Sequence, residues 1–359
     1  MNIGIISLIP WNFLKQRPHM FAEELVKSGH SVYYVEPINP YDIRPQRLKR
    51  MGRLYIKPNI DEVHPSLHII HGLMLPPVLK YRKYIEMNRI FSKIYSRIFR
   101  NLKLDFIIVL QPEFADAVLA SGVPFAYDHV DDTQFMDGIW KERYVEKMNL
   151  LKKHGKFNIY IQEGEALKDT NGIFIPNCAN PEEFYPIKTD KNFDAVVLSY
   201  IGKWFDMDSI IESKKKILLI GPMHRDKGDN YKRYKDAKRE NIFWIPEVEK
   251  CVANTWINAA EVGLVPFKED HPVIRYAMPI KILEYFLCDI PVVTYYNEGL
   301  DQFYGNMVTF YSRNGGKPDL DEAIDKAKEN KKEYRLFAMR HQWKNVVREL
   351  EKRIMESVT

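Results

Sequence analysis

Apolar residues fall in short runs divided by polar stretches of helical period, and the alternation begins at the first residues. Ile3–Leu8 is an apolar run of strand length, and Pro18–Ser28 repeats its apolar positions at three and four before Gly29 closes it. Ser31–Glu36 is again a strand. Further strands are predicted at Leu67–His71, Asp105–Gln111, Val123–Asp128, Asn158–Gln162 and Gly172–Pro176. Helices are predicted at Lys80–Lys103, Glu113–Ala120 and Gly138–His154. Strands that alternate with helices in this way predict an open, mostly parallel α/β sheet.

Pro181 to Asp194 (PEEFYPIKTDKNFD) is polar and proline-bearing, and it reads as a linker. The alternation then restarts with strands at Val196–Gly202, Lys216–Gly221 and Asn241–Ile245 and helices at Asp206–Ser213 and Glu247–Asn258. The stretch from Glu261 to Tyr295 follows. It holds a buried strand (Val262, Leu264, Val265), a polar loop ending in Tyr276, a short helix opened by Pro279, and a second buried strand from Pro291 to Tyr295. Two polar-faced helices, Asp319–Glu329 and Lys332–Met355, come last. The expected organisation is an N-terminal domain over residues 1–180, a linker over 181–191, a second domain over 192–337, and a terminal helix over about 338–359 packing back on the first domain. Two doubly wound domains in tandem would face a cleft at the carboxyl ends of their strands, where such sheets bind ligands.

A chain of 359 residues with 45% apolar and 28% charged residues suits two ordinary globular domains. Without a long apolar run, a basic leader or a cysteine framework (Cys178, Cys251 and Cys288 are scattered), it reads as a cytoplasmic protein with no spanning helix. The net charge of +5 hides an asymmetry, because residues 44–103 carry 14 Lys or Arg against 3 Asp or Glu. Between Lys80 and Lys103 the apolar positions Tyr84, Met87, Phe91, Ile94, Ile98 and Leu102 recur at three and four, and the basic residues lie mostly elsewhere. Such a helix suits an anionic membrane surface or acidic partners, the alternative being an ordinary solvated helix; no nucleic-acid module accompanies the charge.

The first turn, SLIPWNFLKQRPHMF, lacks a GxGxxG, and no GxxxxGK[ST], HExxH or GxSxG occurs, which argues against dehydrogenase, NTPase and common hydrolase readings. The segment PIKILEYF offers other chemistry. Lys281 and Glu284 are three apart on one helix face, near a helix start that already attracts phosphate. The pair suits a nucleotide diphosphate and its ribose hydroxyls; a surface ion pair is the alternative.

Five stretches in order resemble the GT-B superfamily of nucleotide-sugar glycosyltransferases, bacterial polysaccharide type (family 4-like, teichuronic-acid TuaH-like group). They are WNFLKQRPHMFAEELVKSGHSVYYVEP, IPNCANPEEFYP, VVLSYIGKWFDMD, ILLIGP with NIFWIPEV, and EVGLVPF with MPIKILEYFLCDIPVV. The resemblance implies a metal-independent hexosyltransferase-type enzyme with no cofactor. A UDP- or GDP-linked sugar would be the donor, and a surface polysaccharide or lipid-linked oligosaccharide the acceptor.

By that resemblance Glu284 meets the donor ribose, Lys281 with Pro279 at its helix start meets the diphosphate, Lys203 adds a second cation, and the backbone at Pro246–Val248 faces the base. The retaining branch carries a glutamate eight residues before Glu284, where this chain has Tyr276; Glu269 and Asp270 are out of register. His271 and Arg275 are candidates for the donor sugar, and an arginine suits a uronate. On the acceptor side, AYDHVDDTQF sets Asp128, His129, Asp131 and Asp132 after a strand. Asp131 is the favoured general base, with His129 and Asp132 next, unless an aspartate there is a helix N-cap. Gln16, Arg17 and His19 are acceptor-binding candidates, with Trp11 beside them as a core or sugar-stacking ring. A GT-B-fold sugar-nucleotide epimerase or hydrolase, or a non-catalytic sugar-nucleotide or glycan-binding subunit, are the alternative functions.

Overall fold

The structure is a computed structural model that describes residues 1–7, 9–12, 15–37, 59–72, 81–130, 139–223, 230–246, 248–271, 274–312 and 316–358. The chain forms two compact units. One comprises Met1–Ile161, Glu165–Ile175 and Val346–Thr359, and the other Gln162–Gly164 and Pro176–Asn345.

Unit 1 is built on β1 (Asn2–Ile6), β2 (Ser31–Pro37), β3 (Asn59–His64), β4 (Leu67–Gly72), β5 (Phe106–Val109), β6 (Phe125–His129), β7 (Phe157–Tyr160) and β8 (Gly172–Phe174). Their order in the sheet is β3-β4-β2-β1-β5-β6-β7-β8, parallel except for β3. Ile3, Ile5, Phe106 and Ile108 on one face and Ile6, Ile107 and Val109 on the other are fully buried, as a sheet covered on both faces requires. The Tyr81–Asn101 helix sends Phe91, Tyr95 and Phe99 into this core and leaves Lys93, Arg97 and Arg100 exposed.

Unit 2 holds β9 (Phe193–Leu198), β10 (Ile217–Ile220), β11 (Ile242–Ile245), β12 (Ala260–Val265), β13 (Val292–Tyr295) and β14 (Val308–Tyr311). Their order is β11-β10-β9-β12-β13-β14, all parallel. The winding reverses between β1 and β5 in unit 1 and between β9 and β12 in unit 2. Those are the switch points, the places where open α/β sheets commonly bind ligands.

Several elements differ from expectation. Strand β3 is unexpected because its sequence, NIDEVH, is polar; it is an antiparallel edge strand whose Ile60 and Val63 face solvent. The helices Asn230–Ala237 and Glu298–Tyr304 and the strand β14 are likewise unforeseen. The helix expected over Lys332–Met355 is two, Tyr334–Arg340 and Trp343–Val358, because the chain at Gln342 leaves helical geometry to form a β-bridge with Ala179. Among the described residues no helix is long and apolar enough to cross a membrane.

Candidate functional site

At the switch point of unit 2 the loops after β9 and β12 are bound to each other. The Asp206 amide donates to the Pro266 carbonyl (2.8 Å) and the Lys268 amide to the Trp204 carbonyl (2.8 Å), and Phe205 bridges Phe267. Lys203 is exposed on the first of these loops. The second loop carries the residues of highest chemical interest and runs into the Lys281–Leu287 helix. At the end of the neighbouring β10, Gly221 sits at φ +129°, and a Cβ there would lie 2.0 Å from the Ser199 carbonyl oxygen. Only glycine lets the backbones approach this closely.

The helix begins at Lys281, two residues later than Pro279 suggested. Its first turn is tight: the Ile282 amide donates to the Pro279 carbonyl (3.3 Å) and the Leu283 amide to that of Ile280 (3.0 Å). Six of its seven residues are buried. Tyr285 fixes it to the sheet, accepting the Leu198 amide at 2.7 Å through a hydroxyl that lies over β12. The ring occupies space that Gly263 leaves open, since a Cβ there would come within 2.3 Å of it. Glu284 is thereby carried under the surface at 6% exposure, with Lys281 Nζ 2.7 Å from its Oε2. That contact brings charges together without hydrogen-bond geometry at Oε2. A solvated surface pair does not look like this, because one partner is buried.

The loop ahead of the helix has little regular structure of its own. Asn297, at the start of the Glu298–Tyr304 helix, donates through Nδ2 to the carbonyls of Ile274 (2.9 Å) and Arg275 (2.7 Å), while its Oδ1 accepts the Leu300 amide (3.1 Å). The Tyr295 hydroxyl reaches the carbonyls of Ile274 and Ala277, both at 3.4 Å, and Asn177 Nδ2 that of Met278 at 2.9 Å. Arg275 projects into solvent, Tyr276 is buried, and Pro279 is partly buried. Glu269 accepts from Ser312 Oγ (3.1 Å) and the Tyr296 amide (3.4 Å), so it braces two other strand ends. Burial, with Lys268 nearby, lowers the His271 pKa, so the imidazole is neutral at pH 7. Val248 is half-buried just beyond β11. Asn297, Tyr285 and Asn177 drew no attention in the sequence, because amide and hydroxyl donors to distant carbonyls leave no local pattern.

In unit 1 the candidate residues are drawn inward. Arg17 Nε and Nη2 grip both carboxylate oxygens of Asp128, at 2.7 and 3.1 Å, in a buried bidentate pair that stacks on Phe21. Burial pushes the Asp128 carboxyl up, and the guanidinium opposes that rise. His19 Nδ1 accepts the Gln16 amide (3.1 Å), its Nε2 donates to the Pro10 carbonyl (3.1 Å), and its ring stacks on Tyr34. Gln16 precedes the Arg17–Lys27 helix as its N-cap residue. Trp11 packs edge-on against Tyr34 and gives its amide to Glu36 (2.7 Å). His129, buried between Tyr127 and Tyr160, has its pKa pushed down to about 3 by burial first and Lys152 second. Asp131 and Asp132 lie outside the described residues. Among the described residues, no group of three or more His, Cys, Asp and Glu side chains is placed to hold a metal ion.

Two doubly wound α/β units, with the end of the last helix belonging to the first unit, are the GT-B architecture. No protein-family model and no curated protein matches the sequence. Solved structures do match the fold along the whole chain. A sucrose-phosphate synthase from Thermosynechococcus elongatus aligns with a TM-score of 0.72 at 13% identity, over 98% of this chain and 97% of that one. The Anabaena protein HepE in complex with UDP-glucose gives 0.68 at 11% identity, over 99% and 100%. A glycosyltransferase from Rickettsia africae gives 0.69 at 13% identity, over 100% and 98%. At such identities the likeness establishes the fold, and the neighbours that share it include glycosyltransferases and a protein solved with a nucleotide sugar.

Proposed function

We propose that this chain is a metal-independent glycosyltransferase of the bacterial polysaccharide type. It takes a hexose from a UDP- or GDP-linked donor and passes it to a surface polysaccharide or lipid-linked acceptor. The observation that carries the reading is the placement of buried Glu284 beside Lys281, at the switch point of the second unit of a GT-B fold. A buried carboxylate is costly unless something compensates it, and ribose hydroxyls supply the donors that Lys281 alone does not. Once a diphosphate enters, Lys281 and Lys203 would neutralise the leaving group.

On the acceptor side Asp131 is the proposed base, with Asp132 as its neighbour. His129 suits that role poorly, since an imidazole titrating near 3 has little affinity for a proton at neutral pH. The burial of Phe91, Tyr95 and Phe99 supports a charge-based contact of residues 44–103 with the inner membrane face, through Lys93, Arg97 and Arg100, with no insertion.

A panel of UDP- and GDP-sugars assayed for nucleoside diphosphate release, with and without lipid-linked acceptor, tests the proposal. Acceptor-dependent release supports transfer. Release without transfer indicates the epimerase or hydrolase reading, and saturable binding without release indicates a non-catalytic subunit. Asp131→Asn should abolish turnover with donor affinity retained; full activity in that variant removes Asp131 as base.

A further inference from the structure

We infer that Asn297 is a positioning residue for donor-sugar selection, acting by setting the backbone of residues 274–278; the inference rests on the donor-binding role proposed above for unit 2. Four carbonyls in this short loop, those of Ile274, Arg275, Ala277 and Met278, are all taken by side chains from elsewhere in the unit. Asn297 holds two of them, Ile274 at 2.9 Å and Arg275 at 2.7 Å, the shorter bond falling on Arg275. Tyr295 reaches Ile274 and Ala277, Asn177 holds Met278 at 2.9 Å, and Gln162 Nε2 makes a longer contact to Arg275 at 3.4 Å.

In a trans peptide the carbonyl and the following amide point in opposite directions. Turning these carbonyls into the unit therefore turns the amides of Arg275 and Met278 away from the side chains that hold them. The Arg275 side chain is exposed on the same loop. The result is a pair of backbone donors, the Arg275 and Met278 amides, beside a cation, suited to a polyhydroxylated or acidic group. That chemistry is a sugar's, and it needs no side-chain carboxylate at Tyr276.

The orientation of the Asn297 amide follows from its partners, since Nδ2 meets two carbonyls and Oδ1 meets an amide. Its two ends do separable work: Oδ1 caps the Glu298–Tyr304 helix, and Nδ2 shapes the loop. Asn297→Ser keeps a capping oxygen and loses the loop donor, while Asn297→Asp keeps the cap and presents an anion to two carbonyls.

The full chain and both variants are titrated calorimetrically with UDP, GDP, UDP-glucose and GDP-mannose, and melted in parallel. The expected result is a fall in nucleotide-sugar affinity of about tenfold for Asn297→Ser, larger for Asn297→Asp, with bare-nucleotide affinity changed by less than about threefold. Thermal midpoints should stay within about 3 °C of the parent. Asn177→Ala, which frees Met278 without touching the cap, should show the same sugar-selective loss in smaller measure. A parent that binds one of the four probes, with variants that bind it equally well or lose nucleotide and nucleotide sugar alike, overturns the role of Asn297 alone. A parent that binds none of the four overturns the donor reading and this inference with it.

Discussion

The polar side chains at the carboxyl ends of the two sheets are used in opposite ways. In unit 1, Arg17, His19, Asp128 and His129 are all buried, with Arg17 bonded to Asp128 and His19 to the Pro10 carbonyl. Unit 2 keeps Lys203 and Arg275 exposed and Lys281 only half-buried, and leaves Glu284 under the surface next to its lysine. The same residue types therefore do different physical work. Inward pairs hold a strand end to a helix start, whereas outward cations around a switch point wait for an anion. A charged residue at a strand end suggests a ligand only once its partner is known.

The sharpest way to break this comparison is to remove Arg17. Arg17→Ala strands the Asp128 carboxylate, which is 1% exposed, and should cost about 3–5 kcal/mol in urea unfolding, with Arg17→Ala/Asp128→Ala recovering part of the loss. A stable Arg17→Ala variant with only a raised acceptor KM would instead make Arg17 a ligand.

Next in size is an acid effect at His129. Its folded pKa lies near 3, below the ordinary 6.5, so the unfolded chain binds the extra proton between these values. Its contribution is thus complete above pH 6.5 and declines as pH falls toward 3, by on the order of a few kcal/mol. His129→Asn should flatten the loss of thermal stability over that window; an unchanged acid limb would show that His129 is not its source.

Glu284→Gln should weaken donor binding by about 10- to 100-fold with little change in melting, since hydrogen bonds to a charged group are worth about 1.5–3 kcal/mol. Unaltered donor affinity would leave the Lys281–Glu284 pair a fold element like Arg17–Asp128 and erase the contrast. The smallest effect is expected at Lys203. Lys203→Ala should reduce nucleoside diphosphate affinity about fivefold in low salt and less in high salt, because the lysine is exposed and screened. A loss independent of salt would point to a direct, desolvated contact.

Much of the fold was legible because parallel strands buried on both faces announce themselves as continuous apolar runs. Val262 to Val265 and Pro291 to Tyr295 are clear cases, and the burial of Ile282, Leu283, Phe286 and Leu287 follows from the helical spacing of PIKILEYF. Strand β3 was not legible, since an exposed edge strand needs no apolar run. The Arg17–Asp128 pair joins residues 111 apart in sequence, and nothing near either one names the other. The loop of residues 274–278 was opaque for a related reason: its shape comes from donors at 162, 177, 295 and 297, and its own residues carry no turn signature.

The division of the terminal helix has a consequence in time. Residues 346–359 belong with unit 1, and Val347, Leu350 and Ile354 are fully or almost fully buried there, while all of unit 2, Gln162–Gly164 and Pro176–Asn345, precedes them in the chain. During synthesis the second unit can therefore be completed first, and unit 1 must wait with an apolar face uncovered until its last helix has been made. A nascent chain halted after residue 345 should hold a protease-resistant unit 2 beside a protease-sensitive unit 1. The half of the molecule made first is the half that finishes last.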